Sequence, residues 1–408
     1  MKETKFKDTE IGKIPEEWEI GYFGDVLCTF SAGATPYRGI PDYYNGKINW
    51  ISSGELNYNV IYDTIEHISE EALRNTNLCL HAPGTFLMAI TGLEATGTRG
   101  KCAFVGAPSA TNQSCLAING TNKMDIKYLY WYYRMYGDYL AFKYSQGTKQ
   151  QSFTVTIVKN LPITYPKQVI EQHHIASALT SINNLIFSLG KLIEKKKNIK
   201  QGAMQQLLTG QIRLKGFSEP WVKRKLGDIG SLAMCKRIFQ EETSEKGDVP
   251  FYKIGTFGQQ ADAYITKGKY EQFKQMYRFP QKGDVLISAA GTIGRTVIYN
   301  GEPAYFQDSN IVWLAHNGKY ITNNFLFYIY QRTDWNTEDT TIARLYNNNF
   351  NNTCIHFPSS ITEQQAIANI LSKMDNEITA LETKKAKYEA IKQGMMQQLL
   401  TGKIRLIS

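Results

Sequence analysis

A fourteen-residue sequence occurs twice in this chain and decides its architecture. The copy at residues 201–214 reads QGAMQQLLTGQIRL, and the copy at residues 393–406 reads QGMMQQLLTGKIRL. Twelve of the fourteen positions are identical, and the copies are 192 residues apart. The same offset aligns Glu171-Gln172 with Glu363-Gln364. Self-similarity at a fixed offset indicates an internal duplication, so we expect two copies of one structural unit.

A second motif marks the start of each half. Pro15-Glu16-Glu17-Trp18 resembles Ser218-Glu219-Pro220-Trp221, at an offset of 203 residues. Each motif is followed by a Gly-Asp pair, at residues 24–25 and 227–228. Between the tryptophan and the repeated helix end, the two halves differ strongly. The repeat unit is therefore large, and its middle has diverged.

Each half ends in a segment with the pattern of a very long helix. From Glu171 to Thr209, and from Glu363 to Thr401, there is no proline, and apolar residues recur at steps of three and four. Each helix would be about 60 Å long. A half-apolar helix of this length needs a partner, and the other copy is the obvious one. Thr362 is the expected N-cap of the second helix, and Gly210 and Gly402 are the expected stops.

These patterns predict an α+β fold with an internal duplication and pseudo-two-fold symmetry. Two tandem mixed α/β domains, built from short β-type runs, are separated by two long antiparallel helices that form a coiled-coil spacer. The expected boundaries are residues 1–165 for the first domain, 166–215 for the first spacer helix, 216–358 for the second domain and 359–408 for the second spacer helix.

The positive charge is concentrated on the first long helix. The chain has a formal net charge of +9, and residues 166–215 alone contribute eight basic and two acidic side chains. The two domain segments, 1–165 and 216–358, are nearly neutral. The helix carries a cluster of lysines, Lys195-Lys196-Lys197 and Lys200. Such a cluster is either a solvated face or a contact with phosphate or an acidic partner. Composition therefore leaves the ligand open.

The familiar catalytic motifs are incomplete or missing. Residues 92–97 have the spacing of a phosphate-binding loop, but Thr98-Arg99 stands where lysine and serine or threonine are required. Gly291-Thr292-Ile293-Gly294 lacks the third glycine of a dinucleotide fingerprint. Adjacent His173 and His174 point about 100° apart on a helix and cannot bind one metal together. We therefore expect no enzyme activity and no metal site on this chain.

The hydropathy, the first residues and the cysteine pattern predict a cytoplasmic protein. No stretch approaches the ~18 uninterrupted apolar residues of a membrane span, and the first eight residues are polar and charged. The six cysteines include no CxxC pair, so we expect reduced thiols.

Polar loops flanked by glycine recur in both halves. Arg, Lys, Gln and Asn can bond to base edges, while Ser, Thr and backbone amides hold phosphates. Taken singly, each loop is typical of an ordinary turn, so the weight comes from the recurrence. The candidate DNA-contacting residues are Thr35, Arg38, Arg99, Lys101, Gln113, Lys149 and Gln150 in the first half, and Lys236, Arg237, Lys253, Thr292, Arg295, Gln307, Arg344 and Tyr346 in the second.

The chain resembles the specificity subunit of a type I restriction–modification enzyme. The resemblance rests on Ile14-Pro15-x-x-Trp18, on the doubled QQLLTG at residues 205–210 and 397–402, and on the glycine-rich stretch of residues 283–294. It covers essentially the whole chain, and the doubled QQLLTG is its most specific element. It implies two target-recognition domains, each reading one half of a split double-stranded DNA sequence, with helices that set the spacing.

The resemblance also implies partners and places the cofactors on them. Two modification subunits would dock on the helices, and restriction subunits would join the assembly. S-adenosylmethionine would serve the modification subunits, ATP and Mg²⁺ the restriction subunits, and no cofactor is expected on this chain. The strong difference between the halves favours an asymmetric target. The expected partner-binding residues are Gln205, Gln206, Leu207 and Thr209 of the first helix end, and Gln397, Gln398, Leu399 and Thr401 of the second.

Two other classes of function stay open at this point. A structural adaptor with duplicated domains would bind proteins in place of DNA, and its binding would be insensitive to salt. A single-chain enzyme with an unfamiliar site is the other class, and it fits the catalytic criteria poorly.

Overall fold

Short strands and helices alternate along the chain and form two units. The computed structural model describes residues 5–9, 12–95, 97–335 and 344–407. Unit 1 comprises Met1–Gly190 and Thr383–Ser408, and unit 2 comprises Lys191–Glu382. Each unit therefore combines the diverged middle of one repeat with the start of one long helix and the end of the other.

Within the described residues, unit 1 contains twelve strands, four shorter α-helices and the first part of the first long helix. The last part of the second long helix also belongs to it. The strands are β1 (Phe6–Thr9), β2 (Gly12–Pro15), β3 (Trp18–Tyr22), β4 (Cys28–Ala32), β5 (Ile48–Ile51), β6 (Val60–Ile61), β7 (His67–Ile68), β8 (Phe86–Ala89), β9 (Cys102–Val105), β10 (Ser109–Thr111), β11 (Cys115–Asn119) and β12 (Pro162–Pro166). The helices are α1 (Phe23–Val26), α2 (Glu70–Asn75), α3 (Ile126–Tyr144), α4 (Val155–Lys159) and α5 (Val169–Leu207).

Unit 2 repeats this order with fewer strands. Its strands are β13 (Trp221–Lys225), β14 (Ser231–Met234), β15 (Val249–Tyr252), β16 (Ala263–Ile265), β17 (Val285–Ser288), β18 (Thr296–Ile298), β19 (Tyr305–Phe306), β20 (Ile311–Ala315) and β21 (Cys354–Pro358). Its helices are α6 (Leu226–Ile229), α7 (Lys267–Met276), α8 (Asn323–Tyr330), α9 (Asn347–Asn352) and α10 (Ile361–Leu399).

The sheet topologies confirm the predicted duplication and the α+β class. The main sheet has the order β4-β11-β8-β9-β6 in unit 1 and β14-β20-β17-β18 in unit 2. A smaller sheet, β10-β5-β7 or β19-β15-β16, contains one parallel and one antiparallel pair in both units. The pairs β12-β3 and β13-β21 also correspond. Within the described residues, β6 alone lacks a counterpart in these sheets, because the connection from β15 to β16 is shorter than that from β5 to β7.

The long helices are 39 residues each, as their pattern predicts, and both begin and end two residues earlier than expected. The N-cap of α10 is Ser360, whose hydroxyl accepts from the Glu363 amide at 3.5 Å, so the assignment to Thr362 is wrong. Thr362 itself lies inside the first turn. Gly210 and Gly402 have φ values of +71° and +69° and follow the helix ends, as expected of a glycine stop.

Within each unit, the paired stretches of α5 and α10 run antiparallel. In unit 1, Lys392 donates to Asn183 at 3.3 Å. In unit 2, Lys196 pairs with Glu377 at 2.7 Å, and Lys200 pairs with Asp375 at 2.5 Å. Three lysines of the basic cluster thus contact carboxylates of α10, since Lys197 also pairs with Glu382. An acidic partner is therefore present within unit 2 itself.

Each unit contains an ion pair with a buried carboxylate that joins residues of the two repeats. In unit 1, Arg405 donates to both carboxylate oxygens of Glu171, at 2.6 and 2.7 Å. In unit 2, Arg213 donates to both oxygens of Glu363, at 2.7 and 2.6 Å. The two carboxylates are 1% and 0% exposed. The Arg side chain of each repeated IRL sequence thus pairs with the helix start of the other repeat.

The glutamine after each glutamate connects the helix start to the rest of its unit. Gln172 donates to the carbonyls of Lys123 and Pro166 at 2.9 and 2.8 Å, and it accepts from the Asp125 amide. Gln364 makes the three equivalent bonds: it donates to the carbonyls of Tyr320 and Pro358, and it accepts from the Thr322 amide. Because this amide joins a strand end to the N-terminus of α3 or α8, it orients the domain on the helix.

The tryptophan of each opening motif packs on the glycine that ends a long helix. A Cβ on Gly402 would lie 2.3 Å from Pro15 and 3.1 Å from Trp18. A Cβ on Gly210 would lie 3.2 Å from Trp221. The repeated motifs are therefore joined in space around one core in each unit.

Replacing Arg405 by alanine should destabilise unit 1, because it leaves the buried Glu171 carboxylate without its bidentate partner. We expect the free energy of unfolding to fall by about 3 kcal/mol in urea titrations. Adding Glu171→Gln should recover part of the loss, since no buried charge remains. Lys403→Ala changes an exposed neighbour and is the matched control. Equal losses for Arg405→Ala and Lys403→Ala would contradict this role.

Candidate nucleic-acid interface

The candidate loops of unit 2 meet at one edge of its main sheet. Ser288, the last residue of β17, pairs with Ile311, the first residue of β20, and Met234 at the end of β14 pairs with the next residue. The loops that follow β14 and β17 and precede β20 therefore leave the sheet on the same side. We call these segments, residues 235–240, 289–295 and 307–310, the edge loops of unit 2.

Hydrogen bonds tie further segments to these edge loops. The Gln307 side chain accepts from the Ile254 amide at 2.9 Å, which attaches the turn after β15. Arg295 donates to the Phe257 carbonyl at 2.9 Å and thereby holds the same turn from its other end. The Ser288 hydroxyl donates to the Thr292 carbonyl at 2.6 Å. These bonds bring Lys253, Thr292, Arg295 and Gln307 together.

Two further candidates of unit 2 lie beside the loop after β17. The Leu345 amide donates to the Ala289 carbonyl at 2.9 Å, so Arg344 and Tyr346 flank a residue bound to that loop. Both side chains are exposed. The candidate loop of residues 340–346 begins with four residues that lie outside the described part of the chain.

Unit 1 presents an equivalent edge. Cys115 at the start of β11 pairs with Ala89 at the end of β8, and the following residue pairs with Ala32 at the end of β4. The edge loops of unit 1 are residues 33–38, 90–95, 97–101 and 112–114. The Leu93 amide donates to the Gln151 carbonyl at 3.0 Å, which attaches the loop containing Lys149 and Gln150. Thr35 donates to the Gln113 side chain across this edge.

Four of the nine candidate cations are paired with carboxylates. Arg38 binds both oxygens of Glu66, at 2.5 and 2.8 Å, and this bond lowers the pKa of the Glu66 carboxyl. The remaining pairs are Arg99 with Asp138 at 2.9 Å, Arg237 with Asp308 at 2.8 Å and Lys253 with Asp262 at 2.9 Å. Lys101 donates to Asn57 at 2.8 Å, and Lys236 lies over the Tyr277 ring. At the four paired positions, the nearby carboxylate offsets the positive charge of the side chain.

The candidate DNA-contacting residues differ in how exposed their side chains are. Lys149, Gln150, Lys236 and Arg237 are exposed at the edges, whereas the Arg99 side chain is only 12% exposed. Lys253 and Gln307 line a cleft of about 690 Å³. A cleft of that size is large enough to admit a nucleotide base.

The candidate partner-binding residues at the helix ends fall into two groups. Leu207 and Leu399 are buried in the cores of units 2 and 1, so their side chains are used within the units. Thr209 and Thr401 donate to the carbonyls of Gln205 and Gln397, four residues earlier. Gln205, Gln206 and Gln397 are exposed, and Gln398 is half-buried. Partner binding by these eight residues stays a prediction.

Three of the six thiols are buried. All six cysteines are free, and burial raises the pKa of the Cys235 thiol to about 12 and those of Cys102 and Cys115 further. Within the described ranges, no three His, Cys, Asp or Glu side chains are grouped to hold a metal ion. The same ranges contain no helix with the length and apolar character of a membrane span.

Comparison with known proteins identifies the family. The family model for the type I restriction modification DNA specificity domain matches twice, at residues 15–201 and 218–393. This chain belongs to that family. Its matching segments cover both units and most of both long helices, in agreement with the internal duplication.

Relatives of this specificity protein include two putative type I restriction enzyme specificity subunits. The one from Haemophilus influenzae is 36% identical over 289 residues, 68% of this chain and 74% of that protein. The one from Methanocaldococcus jannaschii is 27% identical and matches 99% of this chain and 98% of its own.

Solved structures support the fold of the specificity protein. The type I restriction-modification S subunit from M. genitalium has a TM-score of 0.61, with 94% of this chain and 96% of that chain covered at 16% identity. A chain from a study of complex assembly and conformational transition of the type I R-M system has a TM-score of 0.54, with 96% and 99% covered at 16% identity.

Sequence reasoning missed the acidic residues that hold the candidate cations. Glu66, Asp138 and Asp308 are 28, 39 and 71 residues from their arginines, so no local pattern joins the pairs. Asp308 directly follows the candidate residue Gln307 and lies in the same polar loop. A carboxylate in an otherwise basic or amide-rich loop is the signal that was available.

Lys149 provides a test of the edge of unit 1. If it contacts a phosphate, Lys149→Ala should weaken binding to all DNA sequences and reduce the salt slope by about one. Titrations of the assembled complex at several salt concentrations measure that slope. Lys127→Ala is the matched control, since Lys127 is exposed on α3 away from the edge loops. An unchanged slope in Lys149→Ala would exclude the phosphate contact.

Proposed function

We propose that the edge loops of the two units read the two halves of a bipartite, asymmetric DNA target. The chain is a DNA specificity subunit by its family, with two recognition domains. The observation that carries the proposal is that both units present polar loops at the same sheet edge on the same buried scaffold. Repeated scaffold residues place each domain, while the loops are free to differ and to read different bases.

The loops differ in chemistry as well as in sequence. Unit 1 places the neutral pair Thr35 and Gln113 across its edge, and unit 2 places the charged pair Arg237 and Asp308 there. Different donor and acceptor sets distinguish different base pairs in the major groove. The two half-sites are therefore proposed to be different sequences, which makes the whole target asymmetric.

The helices are proposed to set the unread gap between the half-sites and to bind the modification subunits. α5 and α10 are continuous over 39 residues each, and helix length changes by ~1.5 Å for each residue added. The exposed glutamines near both helix ends offer amide groups to a partner. Because the helix ends are repeated, two modification subunits are expected for each chain.

The catalytic steps are assigned to other chains of the cytoplasmic assembly. S-adenosylmethionine is proposed to act on the modification subunits, and ATP and Mg²⁺ on the restriction subunits. This chain is proposed to be non-catalytic and to hold no cofactor of its own. Methylation maps of cells with and without the gene test the proposal directly. Loss of a bipartite methylated sequence supports it, and unchanged methylation overturns it.

A matched insertion tests the role of the helices as a ruler. Four residues are added between Ile193 and Glu194 in α5 and four between Glu382 and Thr383 in α10, with the apolar stripe preserved. The insertion lengthens both helices by ~6 Å and rotates the following residues by about 40°. Methylation maps should show both half-sequences unchanged and a gap longer by one or two base pairs, at ~3.4 Å each.

Insertion in α5 alone is the control for this experiment. It displaces Lys196, Lys197 and Lys200 from their carboxylates, so the helix pair should be destabilised. A changed half-sequence with an unchanged gap in the matched variant would contradict the ruler.

Co-expression with the modification subunit tests the stoichiometry. Native mass spectrometry should find two modification subunits for each chain, because the docking surfaces are duplicated. Replacing Gln397 and Gln398 by alanine should weaken one of the two sites, and replacing Gln205 and Gln206 should weaken the other. A complex that contains only one modification subunit in the unsubstituted protein would count against two equivalent sites.

A further inference from the structure

The arginines at the edges differ in which nitrogens are occupied. Arg38 uses both terminal nitrogens to bind Glu66, and Arg295 uses one of them to bind a backbone carbonyl. Arg237 is held differently, because its Nε donates to Asp308 Oδ2 at 2.8 Å. Its side chain is 59% exposed, and among the described residues neither terminal nitrogen has a protein partner. Its two Nη groups therefore face solvent as a pair.

Asp308 is fixed by the turn in which it lies. The Asn310 amide donates to the Asp308 carbonyl at 2.6 Å, and Ser309 has a φ of +53°. Gln307 is anchored through its own amide to the Tyr252 carbonyl at 2.9 Å. The Asp308 side chain is 18% exposed. The carboxylate thus offers a rigid acceptor that sets the orientation of the guanidinium.

The free pair of nitrogens matches one base. Two parallel N–H groups of an arginine fit the O6 and N7 acceptors of guanine in the major groove. The Asp308 charge offsets that of Arg237, so attraction to a phosphate is weakened while the donors remain available. We propose that Arg237 reads a guanine in the half-site bound by unit 2, with Asp308 as its positioning residue. This inference rests on the proposed function.

The equivalent position of unit 1 lacks this chemistry. Ala32 of β4 and Met234 of β14 are equivalent, since each pairs with the second residue of the neighbouring strand. Thr35 and Arg237 each follow three residues later. Thr35 donates to the Gln113 side chain and presents no guanidinium. An arginine contact of this kind is therefore expected at this position in unit 2 only.

The experiment compares variants of the full chain in complex with its modification subunits. Binding to a library randomised in both half-sites gives the base preference at every position. Arg237→Ala should reduce the preference for one guanine about ten- to hundredfold. Every position of the other half-site should be unchanged, which also shows that the variant is folded. Lys223→Ala is the matched control, since Lys223 is an exposed residue of β13 outside the edge loops.

Two substitutions of Asp308 separate positioning from simple structure. Asp308→Ala frees the guanidinium and removes a negative charge, so the guanine preference should fall while affinity for unrelated DNA rises. Asp308→Asn keeps an acceptor oxygen at the same place and should retain more of the preference than alanine. A structural role alone would lower affinity for all DNA in both variants.

Three results have distinct meanings. An equal loss for all bases in Arg237→Ala, with a salt slope reduced by about one, identifies a phosphate contact and overturns the inference. Unchanged preferences in Arg237→Ala also overturn it. Absence of any sequence preference in the unsubstituted complex overturns the proposed function itself.

Discussion

Two buried bidentate ion pairs, Arg405 with Glu171 and Arg213 with Glu363, constrain both units of this structure. A carboxylate that is almost completely buried is costly unless a charged and correctly oriented partner accompanies it. In each unit, the arginine comes from one repeat and the glutamate from the other. Neither repeat satisfies its own buried glutamate with its own arginine, so each ion pair joins the two repeats within its unit.

The neighbouring glutamines extend this constraint to the recognition domains. Gln172 and Gln364 each bond to a strand end and to the segment that starts α3 or α8. Since these contacts use backbone groups, the domain sequence can change without losing them. This separation explains how scaffolds of corresponding topology carry edge loops as different as those with Thr35 and with Arg237. Variation in binding needs no change in the residues that hold the domain in place.

Charge serves different purposes in the helices and in the loops. The lysines at 196, 197 and 200 contact carboxylates of α10, so the most basic segment of the chain is largely used to pair helices. Asp308, Asp138 and Glu66 neutralise arginines of the edge loops and restrict their orientation. Net charge is consequently a poor guide to the binding surface. The arrangement of donors matters more, because base edges are distinguished by hydrogen-bond geometry.

The sequence by itself determined the duplication, the two long helices and the family, since identical motifs and helical periodicity are properties of neighbouring residues. It also indicated most of the polar loops at the two edges. The N-cap of α10 was misplaced because Ser360 and Thr362 both suit that position, and only the backbone decides between them. The crossed pairing of Glu171 with Arg405 and the acidic partner of Arg237 were decided by tertiary structure. These residues are 234 and 71 positions apart, and only the packing of strands and helices brings them within hydrogen-bonding distance.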